Sequence, residues 1–162
     1  MALTVLVLGC AAVKASLPVC APAASGPCVA RATFDVSVSD SFSDAEMLQL
    51  RAGAGLWEAA TAGAVRIDVR RRYAGEVPVV YRAKALESGF LGVTTRDRGE
   101  VTITLVPDQV GPGVGLAGVF AHELGHYMGV GHSSDPGALM APEVHDCMVV
   151  TPGDLEALQR AL

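Results

Sequence analysis

The chain has 162 residues, 51% of them hydrophobic and 18% charged, with a formal net charge of −5. That is the size of one ordinary domain with enough apolar content to bury a core. An acidic chain without a long Lys/Arg run excludes nucleic acid as its main partner; its densest basic patch, Arg70-Arg71-Arg72, reads as the solvated end of a strand.

The first ten residues, Met1 to Cys10, are apolar. They are too few to cross a bilayer as a helix, which takes about 20. Two readings stay open: a secretory h-region lacking the usual positive n-region, or a segment whose Val7-Leu8-Gly9-Cys10 resembles a bacterial lipobox, with Cys10 lipidated as a membrane anchor. Both place the mature protein outside the cytoplasm, secreted or in the cell envelope. Export permits disulfides among Cys10, Cys20, Cys28 and Cys147, but sequence does not choose the pairing. None has C-x-x-C spacing, which argues against a cysteine zinc site. Residues 15–28 are rich in Ala, Pro, Ser and Gly and read as a linker, so the folded domain is expected to begin at Val29.

Phe34, Val36 and Val38 alternate with polar neighbours, a strand pattern. Ser43-Asp44-Ala45-Glu46 forms a capping box that opens a helix reaching about Ala62. Met47, Leu50, Ala54 and Trp57 share one face of it, which makes Trp57 a core anchor, while Gly53 and Gly55 weaken the helix. Val65, Ile67 and Val69 give a second strand, and Val79 to Arg82 a short strand or loop. Leu91 to Thr94 leads into a turn at Asp97-Arg98-Gly99, followed by the clearest strand, carried by Val101, Ile103 and Leu105. Gly111-Pro112-Gly113 breaks the chain, and a helix is expected from about Val114 to Met128. Thr151 caps a last helix with Pro152 at its first position. This order of elements predicts an α+β fold with a mixed sheet.

The chemistry concentrates in His122-Glu123-Leu124-Gly125-His126-Tyr127-Met128-Gly129-Val130-Gly131-His132, which holds three of the four histidines. A four-residue spacing on a helix puts His122 and His126 on one face, with Cβ atoms about 6 Å apart. Both imidazoles can then reach one ion at about 2.0–2.1 Å. Glu123 flanks the ion instead of binding it. Gly129 allows the helix to end sharply and bring His132 back as third ligand. Three histidines leave a tetrahedral zinc with one open position, the pattern of a catalytic site and not of a closed structural one.

The extended H-E-x-x-H-x-x-G-x-x-H motif resembles the signature of the metzincin metallopeptidases. The continuation His132-Ser133-Ser134-Asp135-Pro136-Gly137-Ala138-Leu139-Met140-Ala141-Pro142 is similar to that of the matrixins, the matrix-metalloproteinase branch. The resemblance is strongest over residues 114–142. It implies a zincin-like fold: a mixed twisted sheet, a long zinc-binding helix below it, Met140 in a Met-turn beneath the metal, and a C-terminal helix. The domains would be 1–28, a signal or lipoprotein-like segment with its linker, and 29–162, the catalytic domain. It implies a zinc-dependent endopeptidase with one catalytic Zn2+ held by His122, His126 and His132. Peptide bonds would be hydrolysed by a zinc-activated water with Glu123 as general base. Partners would be protein or peptide substrates; the sequence says nothing of oligomeric state. By analogy the strand at Val101–Val106 would be the edge on which substrate pairs. Residues 141–150, with Val144, His145, Met148 and Val149, would line the specificity pocket.

The chain also departs from the family patterns it resembles. Pro142 stands where astacin- and serralysin-like members carry a tyrosine ligand, and His145 alone remains for a second, structural zinc. Calcium could use Asp97, Asp108 or Asp135, but no oxygen-rich loop supports it. Cys20 and Cys28 lack the motif around the zinc-blocking propeptide cysteine, and a disulfide role suits them better. Asp154 is either a buried anchor of the last helix, as in matrixins, or a charge at a helix start. Competing readings are an inactive zinc-binding homologue, a surface protein with an incidental metal site, and a gluzincin-type peptidase using Glu143 or Glu156 in place of His132.

Overall fold

A computed structural model describes residues 29–111, 115–143 and 148–162. Cys10, Cys20, Cys28, Val144, His145 and Cys147 lie outside the described residues, and with them the signal, lipobox and disulfide expectations.

Five strands and three α-helices follow in the order β1 (Ala32–Val38), α1 (Asp44–Ala60), β2 (Val65–Arg71), β3 (Val80–Arg82), β4 (Gly92–Asp97), β5 (Glu100–Leu105), α2 (Gly115–Tyr127) and α3 (Pro152–Ala161). The strands form one sheet in the order β2-β1-β3-β5-β4. β1 pairs parallel with β2 and β3, β3 parallel with β5, and β4 antiparallel with β5. The mixed sheet with helices is the expected fold class.

Alternation along β2 buries Val65, Ile67 and Val69 and leaves Arg66 and Asp68 in water. Val36 and Val38 of β1 and Ile103 and Leu105 of β5 extend the same apolar face. The helices cover it. The expected face of α1 is buried through Met47, Leu50, Ala54 and Trp57. Its start is the expected capping box: Ser43 Oγ accepts from the Glu46 amide at 3.3 Å, and Glu46 Oε2 accepts from the Ser43 amide at 2.7 Å. Gly53 is where α1 meets α2 most closely, since a β-carbon there would lie 2.5 Å from the Ala117 carbonyl oxygen. The weak helix former is therefore a condition of the helix contact.

Two expectations need correction. The strand at Val101–Val106 is not the sheet edge; β5 lies between β3 and β4, and β4 is the free edge on the side of α2. The segment around Leu91–Thr94 thus continues as a full strand, closed on β5 by a two-residue turn with positive φ at Arg98 (48°) and Gly99 (91°). Both signs suit the right-handed twist of a hairpin. Second, Arg70, Arg71 and Arg72 are not merely solvated. They pair with Glu76, Asp44 and Asp40 at 2.8, 2.8 and 2.7 Å, fastening the end of β2 to three separate segments. The Arg70 guanidinium beside it holds the Glu76 carboxyl down to about 2.

At the other end, Thr151 caps α3 with Pro152 in its first turn. Asp154 combines both of its expected roles: it is 1% exposed, and its Oδ2 accepts from the Thr151 amide (2.9 Å) and hydroxyl (3.1 Å). Among the described residues, its Oδ1 is buried without a hydrogen-bond partner.

Candidate metal centre

α2 carries His122 and His126 one turn apart, with ring centroids 4.8 Å apart. The chain leaves the helix at Gly129, whose φ of +92° is the left-handed conformation that glycine adopts without strain. The return brings His132 to 5.3 Å from the His122 ring and 4.7 Å from the His126 ring, centroid to centroid. One nitrogen from each of the three lies within 4.8 Å of the others, a group able to hold a metal ion.

Backbone carbonyls orient two of the rings. His122 Nδ1 lies 2.8 Å from Leu139 O, and His126 Nδ1 lies 2.8 Å from Val130 O. A carbonyl only accepts, so each Nδ1 carries the proton and each Nε2 presents a lone pair. His126 Nε2 faces His132 Nε2 at 3.1 Å. Nitrogens facing at that distance need a proton or a cation between them. Two ligands of a tetrahedral zinc at its usual bond length stand roughly 3.3 Å apart, so the residues present fit the ion.

His122 is 4% exposed. Burial drives its imidazole down to about 4, against the upward pull of the Leu139 carbonyl. A ring kept neutral at ordinary pH is a ring ready to ligate. Burial likewise lowers His132. Glu123, 5% exposed, is pushed up by burial to about 7, opposed by a hydrogen bond from Thr94.

Below the histidines, Met140 is fully buried and packs against Gly125, where a β-carbon would lie 2.2 Å from its sulfur. The Met140 carbonyl accepts from the Ser133 amide at 2.7 Å, tying this turn to the residue after His132. Trp57 Nε1 reaches from α1 to Ala121 O at 2.8 Å.

The three histidines and Glu123 open on a cleft of about 410 Å³, lined also by Gly89, Phe90, Leu91, Gly92, Val93, Thr94, Val119 and Pro142. The strand β4 wall, Val119 and Phe90 were not foreseen. Val119 could have been, since it sits three residues before His122 on the same helical face. Of the residues expected at a specificity pocket, Met148 is half-buried against the core and Val149 is exposed. Asp108 is engaged by Arg82 at 2.6 Å, and Asp135 accepts from the Gly137 amide at 2.9 Å.

The matrixin family model matches residues 39–161, which runs from just after β1 through α3 and includes every element of the site. The chain belongs to the matrixins. Matrixins are zinc metalloendopeptidases as a family, and the three histidines here are a group that could hold such an ion. The chain is also 64% identical over 36 residues to the 72 kDa type IV collagenase of Gallus gallus, a match covering 22% of this chain and 5% of that protein. This matrixin therefore shares only a short stretch with that much longer relative. Matrixins are generally secreted, and among the described residues no helix is long and apolar enough to cross a membrane.

Proposed function

We propose that this matrixin is an endopeptidase whose zinc is held by His122, His126 and His132 and whose general base is Glu123, with Met140 as the Met-turn residue beneath the site. The catalytic domain is residues 29–162, and residues 1–28 are its export segment and linker. The protein acts outside the cytoplasm, secreted or anchored through Cys10, on protein or peptide chains.

One observation carries the reading. Three ring nitrogens converge while the buried carboxyl of Glu123, one residue along α2, opens on the same cleft. Zinc, when bound, supplies Lewis acidity toward a carbonyl oxygen and makes water easier to deprotonate. The side chains do the rest. Glu123 takes the water proton and passes it to the leaving amine, from a carboxyl that is buried yet opens on the cleft. The Leu139 and Val130 carbonyls fix the ligand tautomers. β4 supplies the substrate surface. The Val106 amide donates to Leu91 O at 2.9 Å, so alternation along an antiparallel ladder turns the backbone groups of Gly92 and Thr94 off the sheet edge. An extended peptide can pair there, with an apolar side chain against Leu91 and Val119.

The test is hydrolysis of a denatured protein by zinc-loaded enzyme, with and without a chelator, beside Glu123→Gln. Activity should require metal, and the variant should keep stoichiometric zinc while losing roughly 10²–10⁴-fold in kcat. Near-normal turnover by the variant would remove Glu123 from this role. Zinc bound just as tightly after His132→Ala would break the ligand set.

A further inference from the structure

The carboxylate of Glu123 does not stand free in the cleft. Thr94 Oγ1 lies 2.6 Å from Glu123 Oε2 and 3.1 Å from the backbone carbonyl oxygen of Glu123. A hydroxyl has one proton, and the side-chain oxygen at the shorter distance is the acceptor it faces. Gly92, two residues earlier on the same face of β4, closes the other side. A β-carbon there would stand 2.9 Å from both Cγ and Oε1 of Glu123, and 3.0 Å from a Val119 methyl. Arg96, two residues further, reaches the Tyr127 carbonyl at 3.5 Å, at the end of the same helix. The inward face of the edge strand is thus registered against α2 over one helical turn, with Thr94 opposite the acid.

We propose that Thr94 is a positioning residue for Glu123: its hydroxyl anchors Oε2 and so aims Oε1 at the reacting water, from the strand that also receives substrate. This rests on the reading of Glu123 as general base. Side-chain freedom is the reason an anchor matters. An unanchored glutamate has three rotatable bonds, and proton transfer needs a heavy-atom approach of about 2.6–3.2 Å. A displacement of about 1 Å can cost on the order of a hundredfold in rate.

The test compares zinc-loaded wild type, Thr94→Val and Thr94→Ser on a quenched fluorogenic peptide, with Glu123→Gln alongside. Valine keeps the shape and removes the hydroxyl; serine keeps the hydroxyl. Thr94→Val is expected to bind one zinc, keep KM within about twofold and lose at least about tenfold in kcat, and Thr94→Ser to restore most of that loss. Crystals of metal-free Thr94→Val should show the Glu123 carboxylate turned from its wild-type rotamer or spread over several, independent of turnover. The proposal is overturned if Thr94→Val keeps kcat, if Thr94→Ser is as slow as Thr94→Val, or if Glu123 keeps one unchanged rotamer without the hydroxyl. Failure of the underlying reading looks different: Glu123→Gln itself would then turn over normally.

Discussion

Gly125 lies so close over Met140 that a β-carbon at position 125 would sit 2.2 Å from the methionine sulfur and 3.0 Å from Cζ2 of Trp57. The helix bearing the histidines rests on these two side chains, both fully buried, and has no slack there. Gly125→Ala sets two effects against each other. Alanine favours a helix over glycine by about 1 kcal/mol. Overpacking a filled core costs about 1–3 kcal/mol, and the contact is short enough for the cost to win. Because His122 Nδ1 is held by Leu139 O, the residue before Met140, moving the methionine also moves a ligand. Urea denaturation should show a net loss on the order of 1 kcal/mol, and competition titration a weaker zinc affinity. Unchanged stability would mean that Met140 has room to yield.

The metal-free protein should show two opposing pH dependences. His122 is lowered from 6.5 to about 4, by burial first, with the Leu139 carbonyl opposing and the neighbouring histidines assisting. Its stability contribution is complete above about 6.5 and is lost as pH falls toward 4. Glu123 is raised from 4.5 to about 7, by burial first, with Thr94 opposing. Its contribution is complete below 4.5 and is lost as pH rises toward 7. Between pH 4.5 and 6.5 these two slopes have opposite signs and offset, leaving wild type the smaller rise with pH that the lowered His132 adds. Metal-free Glu123→Gln keeps only the histidine slope and should gain stability with pH at up to about 1.4 kcal/mol per unit. Denaturation midpoints across that window check this, and a variant no steeper than wild type would show that burial does not hold His122 neutral.

The zinc motif was legible because it is local: helical spacing and one glycine place three histidines without reference to the rest of the chain. The helix caps were legible for the same reason, through Ser43 with Glu46 and through Thr151. What escaped depends on neighbours. The edge position of Val101–Val106 rests on analogy alone, and the alternation at Val101, Ile103 and Leu105, which is the same for an internal strand or an edge, offers no sign that β4 forms the rim instead. Thr94 looks no different in sequence from Thr95, whose hydroxyl instead meets Thr102 at 2.7 Å on the outer face. The arginine run drew its partners from three segments that only folding assembles.

Thr151→Ala tests the base of α3. N-cap replacement typically costs about 1 kcal/mol. Here it also removes one of the two donors to Asp154 Oδ2, in a carboxylate whose other oxygen has no partner among the described residues. A buried carboxylate that loses a donor pays in desolvation, which places the expected loss near the upper end for caps, about 2 kcal/mol. Thr151→Ser, which keeps the oxygen, should recover most of it. Equal losses in both variants, measured by chemical denaturation, would trace the effect to the threonine methyl instead.

The placement of β4 at the rim predicts how substrates should be read along their length. Its side chains alternate, Gly92 and Thr94 inward against α2, and its backbone groups alternate too, with those of the same two residues facing off the edge. A peptide paired there offers every second amide to the strand and turns the others to solvent. N-methylating the backbone amides of a good peptide substrate one at a time should therefore give a period of two. Sensitive positions should lose roughly tenfold in kcat/KM, the equivalent of a hydrogen bond worth about 1.5 kcal/mol, and the intervening positions should lose little. The loss should fall on KM as much as on kcat, because pairing holds substrate before and during reaction alike. A scan without that alternation would mean that the bound chain is not a strand added to β4, and the cleft walls at Leu91 and Val119 would have to select substrate by side chain alone.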